Sequence, residues 1–409
     1  MVRVAVFDTV GNFGGGSRFL ESLLPALKEC RPLTEIVYFG NPASIEREGH
    51  KERLSMHGIG VEALPSLRLA SEGILGIRGT AKLVRSLQKR SGELPFLPPS
   101  LAGAVHKEIE RTAEGFDLAY FPWPYLVECP RLRVPMVGTF HDFNFRYFFG
   151  LPIFNDRQMK TLRVTLPQWL DRTVPVVSTK FMASEAADFY PGCRDRIRVV
   201  YLAPLLPDSG VGKDEAEIMV REMGIRPPYL LYPVQLTVHK NIGPLLSAIY
   251  VLEGMGHPVS LVITGMGTEA ATGRACAHGV LTGHERPNVF GMGYVDNRRM
   301  DALIKCAAVV VSTSLYEAGN GPGLDAWVRG VPVAMSAIPA FLEHVEAQGM
   351  RARVFDPRSP RDIAEKIGEI LSDPSRARED AEESLRHIRE VTWRKTAEGY
   401  LSVFDEVLG

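Results

Sequence analysis

The sequence predicts an α/β protein of two domains, each built on a parallel sheet covered by helices. Three observations carry this. Short β-branched runs alternate with glycine-marked turns and helix-like stretches in both halves of the chain, the pattern of parallel strands joined through helices. Residues 203–212 gather prolines, glycines and polar residues at mid-chain and read as an interdomain linker. At 409 residues the chain exceeds what one core usually serves, and two domains of about 200 residues each are expected.

The elements follow in order. Residues 2–7 read as a short buried strand. A glycine-rich loop, Gly11 to Gly16, leads to Ser17, a residue type that caps helices, so a helix is expected to about residue 29. Further strands are expected at 35–39, 118–121, 135–140 and 175–177, with 198–202 the last of the first half. In the second half, strand 229–233 precedes helix 241–253, and strand 259–264 ends in Gly265-Met266-Gly267. Residues 289–291 precede a turn, and 297–306 read as a helix. Residues 362–371 and the charged stretch 376–408 look helical. Sheets of this kind bind ligands outside the carboxyl ends of their strands. Two such domains would place a ligand in the cleft between them.

Composition excludes several classes. Apolar content of 45% and charge of 23% fit an ordinary soluble protein. A net charge of -1 gives nucleic acid no electrostatic footprint. Cys30, Cys129, Cys193, Cys276 and Cys306 are scattered with no zinc spacing, which suggests reduced thiols in a cytosolic compartment. MVRVAVF starts directly as a strand rather than a signal peptide. No uncharged run approaches the roughly 20 residues that span a bilayer.

The densest chemical signal is residues 309–343. Val309-Val310-Val311 reads as a buried strand ending at Ser312-Thr313-Ser314. Glu317 and the turn Gly319-Asn320-Gly321-Pro322-Gly323 follow, then a short helix with Pro322 near its start and Gly330 past its end. Exposed N–H groups and the positive dipole end at a helix start attract phosphate. Glu317 and Asp325 would repel a diphosphate, so they should face hydroxyl-rich parts of a ligand, a sugar and a ribose. A plain strand–helix turn with an Asp in the first helical turn gives the same pattern.

Other constellations add to this. Gly14-Gly15-Gly16-Ser17 is a second anion-cradle candidate, although the G-x-G-x-x-G dinucleotide fingerprint is not met. Val238-His239-Lys240-Asn241 follows a strand and opens a helix, where Lys240 can reach a phosphate. A cation at a helix start is disfavoured by roughly 0.3–1 kcal/mol, which favours a bound anion there. His141-Asp142 ends a strand. His141 could donate to a phosphate charge or to a sugar hydroxyl, or serve structurally. No D-x-D occurs, so the usual carboxylate pair that holds a metal against a diphosphate is missing, and protein donors must neutralise it. Residues 67–90 are basic, with Leu83 and Leu87 four apart. They suit either a membrane-surface helix or a solvated face.

Together these residues resemble the retaining glycosyltransferases of family 4, whose GT-B fold sets two Rossmann-like domains face to face. The family's E-x7-E motif corresponds to Glu317 through Asp325, and its G-x-P-V pattern to Gly330-Val331-Pro332-Val333. YPVQLTVHKN, from Tyr232 to Asn241, resembles the subgroup pattern P-x-Q-x-x-x-H-K-N. GTFHDFN, residues 138–144, matches the first-domain strand end, and Thr392-Trp393 the tryptophan that opens a last helix crossing back to the first domain. Asp325 is a methylene shorter than the usual Glu, and Gln235 stands where many relatives carry Arg.

The resemblance implies a first domain of residues 1–203, a linker 204–216, a nucleotide-sugar domain 217–385 and a returning helix 386–409. It implies a metal-independent, retaining hexosyltransferase using a nucleotide-diphosphate sugar, with no cofactor. Mannose from GDP-mannose is the donor suggested by the family's common setting, surface polysaccharide synthesis. The acceptor would be a glycan or lipid-linked glycan, and the location cytoplasmic or peripheral on the inner membrane face. Gly15, Gly16, Lys240, Gly321 and Gly323 would hold the diphosphate and Asp325 the ribose. Glu317 would take the sugar hydroxyls, with His141 near the anomeric centre or the outer hydroxyls. A sugar-nucleotide 2-epimerase of the same fold, or an idle binding subunit, are the alternatives.

Overall fold

The computed structural model describes residues 1–9, 15–45, 49–67, 99–124, 128–148, 156–271, 273–274, 285–286 and 288–409. The chain divides into two compact units, 1–202 with 393–409, and 203–392.

In the first unit the strands are β1 (Arg3–Asp8), β2 (Glu35–Gly40), β3 (Gly60–Ala63), β4 (Leu118–Phe121), β5 (Met136–Thr139), β6 (Val174–Val177) and β7 (Arg198–Val199). They form a parallel sheet in the order β3-β2-β1-β4-β5-β6-β7. The last strand is shorter than the expected 198–202. The helices α1 (Gly15–Cys30), α2 (Pro99–Ala113), α3 (Asp156–Arg172) and α4 (Lys180–Phe189) connect them. Because α1 starts at Gly15, Ser17 lies inside the helix and is not its cap. The loop 10–14 and the basic segment beyond Leu67 lie outside the described residues.

The second unit begins earlier than the expected 217. Residues 204–212 are not a free tether: Leu206 and Val211 are 3% exposed and belong to this unit's core. Proline and glycine made the segment irregular, but its apolar side chains still found a core to enter. The strands β8 (Tyr229–Pro233), β9 (Ser260–Thr264), β10 (Val289–Gly291), β11 (Val309–Ser312), β12 (Val333–Ser336) and β13 (Arg353–Phe355) follow. They run parallel in the order β10-β9-β8-β11-β12-β13. Side chains alternate between two buried faces. Tyr229, Leu231 and Val310 enter one core, and Leu230, Tyr232, Val309 and Val311 the other. That is why these strands read as continuous apolar runs.

The connecting helices are α5 (Lys213–Glu222), α6 (Ile242–Gly254), α7 (Asn297–Cys306), α8 (Gly321–Trp327), α9 (Pro339–Gln348), α10 (Pro360–Ser372) and α11 (Pro374–Ile388). The charged stretch expected as one helix is two. Near Val391 the chain leaves α11, and α12 (Trp393–Leu408) starts in the first unit. There the Thr139 hydroxyl lies 2.8 Å from those of both Tyr120 and Tyr400, a buried chain that ties α12 to the sheet. Thr396 donates to the Tyr201 carbonyl at 2.9 Å.

Candidate functional site

The order of the second sheet reverses direction between β8 and β11, and this switch point opens a crevice at the strand ends. The loops leaving these two strands carry Lys240 and Glu317. Lys240 Nζ forms an ion pair with Glu317 Oε1, and the Ser314 hydroxyl donates to the same oxygen at 2.6 Å. Both side chains keep about a fifth of their surface exposed, 20% and 21%.

The loops are pinned to each other. The Tyr232 hydroxyl donates to the Lys240 carbonyl at 2.8 Å and lies 3.1 Å from Ser314 Oγ. Leu315 N–H donates to the His239 carbonyl at 2.7 Å. Asn241 takes a left-handed φ of 54°, a conformation Asn tolerates. Its Nδ2 donates to the carbonyls of Thr313 and Pro357 at 3.1 and 2.7 Å. Burial pushes the His239 imidazole down to about 4, helped by Lys240 beside it.

Lys240 thus has a carboxylate partner within the chain, which the sequence reading did not foresee. Its dipole penalty at the start of α6 is offset inside the chain, by Glu317. Sequence spacing could not show that residues 77 apart meet.

At the start of α8, Gly323 was expected to offer its N–H to a diphosphate, but the Asn320 side chain already accepts that N–H at 2.9 Å. A Cβ at Gly323 would sit 2.3 Å from Asn320 Nδ2, so the glycine serves the cap. Asn320 N–H in turn donates to His344 Nε2 at 3.2 Å, and His344 Nδ1 lies 2.7 Å from Gln348 Oε1. Nδ1 therefore carries the proton, and burial lowers the pKa of this imidazole. Pro322 has no N–H, which leaves Gly321 as the one N–H of this first turn without a partner among the described residues.

Asp325 lies inside α8 and is 8% exposed. Its Oδ1 accepts from Leu206 N–H at 2.9 Å. An ionised carboxylate offers about four acceptor sites, so this bond does not exhaust it.

In the first unit, His141 follows β5. Its ring stacks on Trp123 at 3.8 Å and meets Phe19 edge-on at 5.0 Å, one turn into α1 from Gly15 and Gly16. Nε2 lies 3.0 Å from the Pro122 carbonyl and must donate to it. Burial pushes the pKa of His141 down to about 3, against the effect of that bond. The neutral ring then presents Nδ1 as an acceptor. With its Nε2 proton engaged by Pro122, this tautomer offers a ligand an acceptor rather than the donor that the sequence reading also allowed. Among the described residues, no group of three or more His, Cys, Asp and Glu side chains is placed to hold a metal.

Residues 217–387 match the family model of glycosyl transferases group 1. The second unit is a group 1 glycosyltransferase domain. An uncharacterized glycosyltransferase of Methanocaldococcus jannaschii is 26% identical over 203 residues, which cover 48% of this chain and 50% of that relative. The match therefore spans half the relative's length. Among solved structures, HepE of Anabaena in complex with UDP-glucose is similar over 99% of both chains, with a TM-score of 0.68 at 14% identity. Sucrose-phosphate synthase of Thermosynechococcus elongatus gives 0.64 at 13% identity, over 99% of both chains. WaaG, a glycosyltransferase involved in lipopolysaccharide biosynthesis, gives 0.62 at 12%, over 98% of this chain and 99% of its own. The fold is GT-B, two Rossmann-like units with parallel sheets.

Within the glycosyltransferase domain, sequence reasoning missed Ser314, Asn320, His344 and Tyr232 as supports of the site. Ser314 and Asn320 were visible as polar residues at a strand end and a helix start. His344 carried no local signal, because its partner lies 24 residues away.

Proposed function

We propose that the protein is a metal-independent, retaining glycosyltransferase that moves a hexose from a nucleoside diphosphate sugar to a glycan or lipid-linked acceptor. The observation that carries this is the Lys240–Glu317 pair, a half-buried cation and carboxylate at the switch point of a group 1 glycosyltransferase domain. The two groups match the two halves of such a donor. Its diphosphate would take over Lys240, and its sugar hydroxyls would take over Glu317, so neither charge is left unpaired. Gly321 N–H adds a donor, and the backbone of Gly15 and Gly16 in the first turn of α1 is assigned to the diphosphate as well. Asp325 is assigned to the ribose. His141, through Nδ1, is assigned to a hydroxyl of the sugar.

With retention, the acceptor hydroxyl attacks on the face from which the diphosphate leaves. The departing phosphate oxygen takes the acceptor proton, and the protein stabilises its growing charge and holds both substrates. HepE binds UDP-glucose, which makes that donor the first to compare with GDP-mannose. The role of WaaG in lipopolysaccharide biosynthesis supports surface polysaccharide synthesis at the cytoplasmic membrane face as the setting. Among the described residues, no helix is long and apolar enough to cross a membrane.

The test has two stages. Thermal shifts with UDP, GDP and ADP select the nucleotide, since a ligand bound only by the native state raises Tm. The matching sugar donors are then incubated with glycan acceptors, and the anomeric configuration of the product is read by NMR. A nucleotide-dependent shift and an α-linked product are expected. No shift with any nucleotide, or a β-linked product, would sink the proposal.

A further inference from the structure

The stretch 205–211 is fastened to α7 and α8 by a buried polar clamp that the proposed chemistry does not use. The Arg329 side chain is 4% exposed and that of Asp301 fully buried, and Arg329 Nε donates to Asp301 Oδ1. The other guanidinium nitrogens reach carbonyls. Nη1 donates to Asp325 at 2.9 Å, and Nη2 to Leu206 and Pro207 at 3.1 Å each. Lys305 donates to Asp301 Oδ2 at 2.9 Å and to the Val211 carbonyl at 2.8 Å, and the Ser209 hydroxyl donates to Asp301. Burial works against the Asp301 carboxylate, but the bonds from Ser209, Lys305 and Arg329 outweigh it and hold its pKa below the ordinary value.

One guanidinium thus binds both ends of a single contact. It grips the carbonyls of Leu206 and Pro207 and, one helical turn back, the carbonyl of Asp325. Between them, Leu206 N–H donates to Asp325 Oδ1 at 2.9 Å. Leu205, the next residue along, lies 3.5 Å from where a Gly321 Cβ would stand. A planar fork of five donors can make these bonds together, and an ammonium cannot.

We infer that Arg329, held by Asp301, is a positioning residue that sets the Asp325 carboxylate for ribose through the Leu206 N–H. The short Asp side chain gains its fixed position from this strap. The inference rests on the assignment of Asp325 to the ribose.

Binding is measured by calorimetry with UDP and GDP, each beside its 2′,3′-dideoxy analogue. The wild type should prefer the full ribose by about tenfold or more, the worth of hydrogen bonds to a charged acceptor. Arg329→Gln should weaken the full nucleotide to the level of the dideoxy analogue and leave the analogue unchanged. Arg329→Lys, which keeps the charge beside Asp301, should lose the preference as well, and it replaces Arg329→Gln if that variant fails to fold. Equal weakening of both ligands, or a preference retained in both variants, would overturn the inference. Asp325→Asn separates the two ideas. If it abolishes the preference while the Arg329 variants keep it, only the coupling fails. If Asp325→Asn keeps the preference, the ribose assignment fails and the inference with it.

Discussion

Lys240 and Glu317 neutralise each other in the donor-free protein, and this changes what their substitution should do. Lys240→Ala removes the cation assigned to the diphosphate. It should lower kcat/KM by roughly 10²–10³, the usual loss for one charge-stabilising donor. Glu317→Gln removes the carboxylate charge beside Lys240, so the bare nucleoside diphosphate no longer competes with it. Calorimetry should show it binding several-fold tighter than in the wild type, while turnover of the sugar donor falls. Weaker nucleotide binding in Glu317→Gln would show that the carboxylate itself touches the nucleotide.

His141 gives a pH prediction at the same scale. Its pKa is about 3 when folded, against an ordinary value of 6.5. The unfolded chain therefore binds more protons below about 6.5. The stability contributed by neutral His141 is complete above that pH and is lost as pH falls from there toward 3. His141→Asn should narrow the difference in Tm between neutral pH and about pH 5. A pH–rate profile with a histidine ionisation near 6.5 that disappears in His141→Asn would contradict the neutral, partly buried ring.

At the scale of the element, α8 is a seven-residue helix whose start is organised by its own neighbours. Gly323→Ala forces a methyl against the Asn320 amide and should cost about 1–3 kcal/mol, read from the urea midpoint. Gly321→Ala meets only Leu205 at an ordinary contact distance and should leave that midpoint nearly unchanged. The reverse order would mean that Asn320 does not cap this helix. His344 supports the same cap only as a neutral ring. Protonation at Nε2 would turn it against Asn320 N–H, and the cap should weaken as pH falls below the ordinary histidine range.

For the whole molecule, the proposal places the positive charge for the diphosphate on protein groups. Activity should therefore persist in excess EDTA after divalent ions are stripped, as measured by nucleoside diphosphate release. Full loss restored by Mn²⁺ or Mg²⁺ would refute metal independence. The strands and helices of the second unit were largely legible, because both sheet faces are buried and their apolar runs are continuous. Residues 229–233 and 297–306 were read with the observed bounds. The split near Val391 was not legible, since a charged amphipathic stretch reads alike in one helix or two. The 204–212 segment misled because its prolines and glycines describe backbone irregularity, not where Leu206 and Val211 go.

The sequence by itself determined the alternation of strands and helices, the turn chemistry around Gly319 to Gly323, and the family resemblance, because each depends on residues close along the chain. Tertiary structure decided the partners. It set Glu317 against Lys240 across 77 residues, His344 behind Asn320 across 24, and Leu206 on Asp325 across 119. The physical reason is that hydrogen bonds and ion pairs act over a few ångströms in space. Such distances between remote residues exist only once the sheets have formed and brought their loops to the same edge.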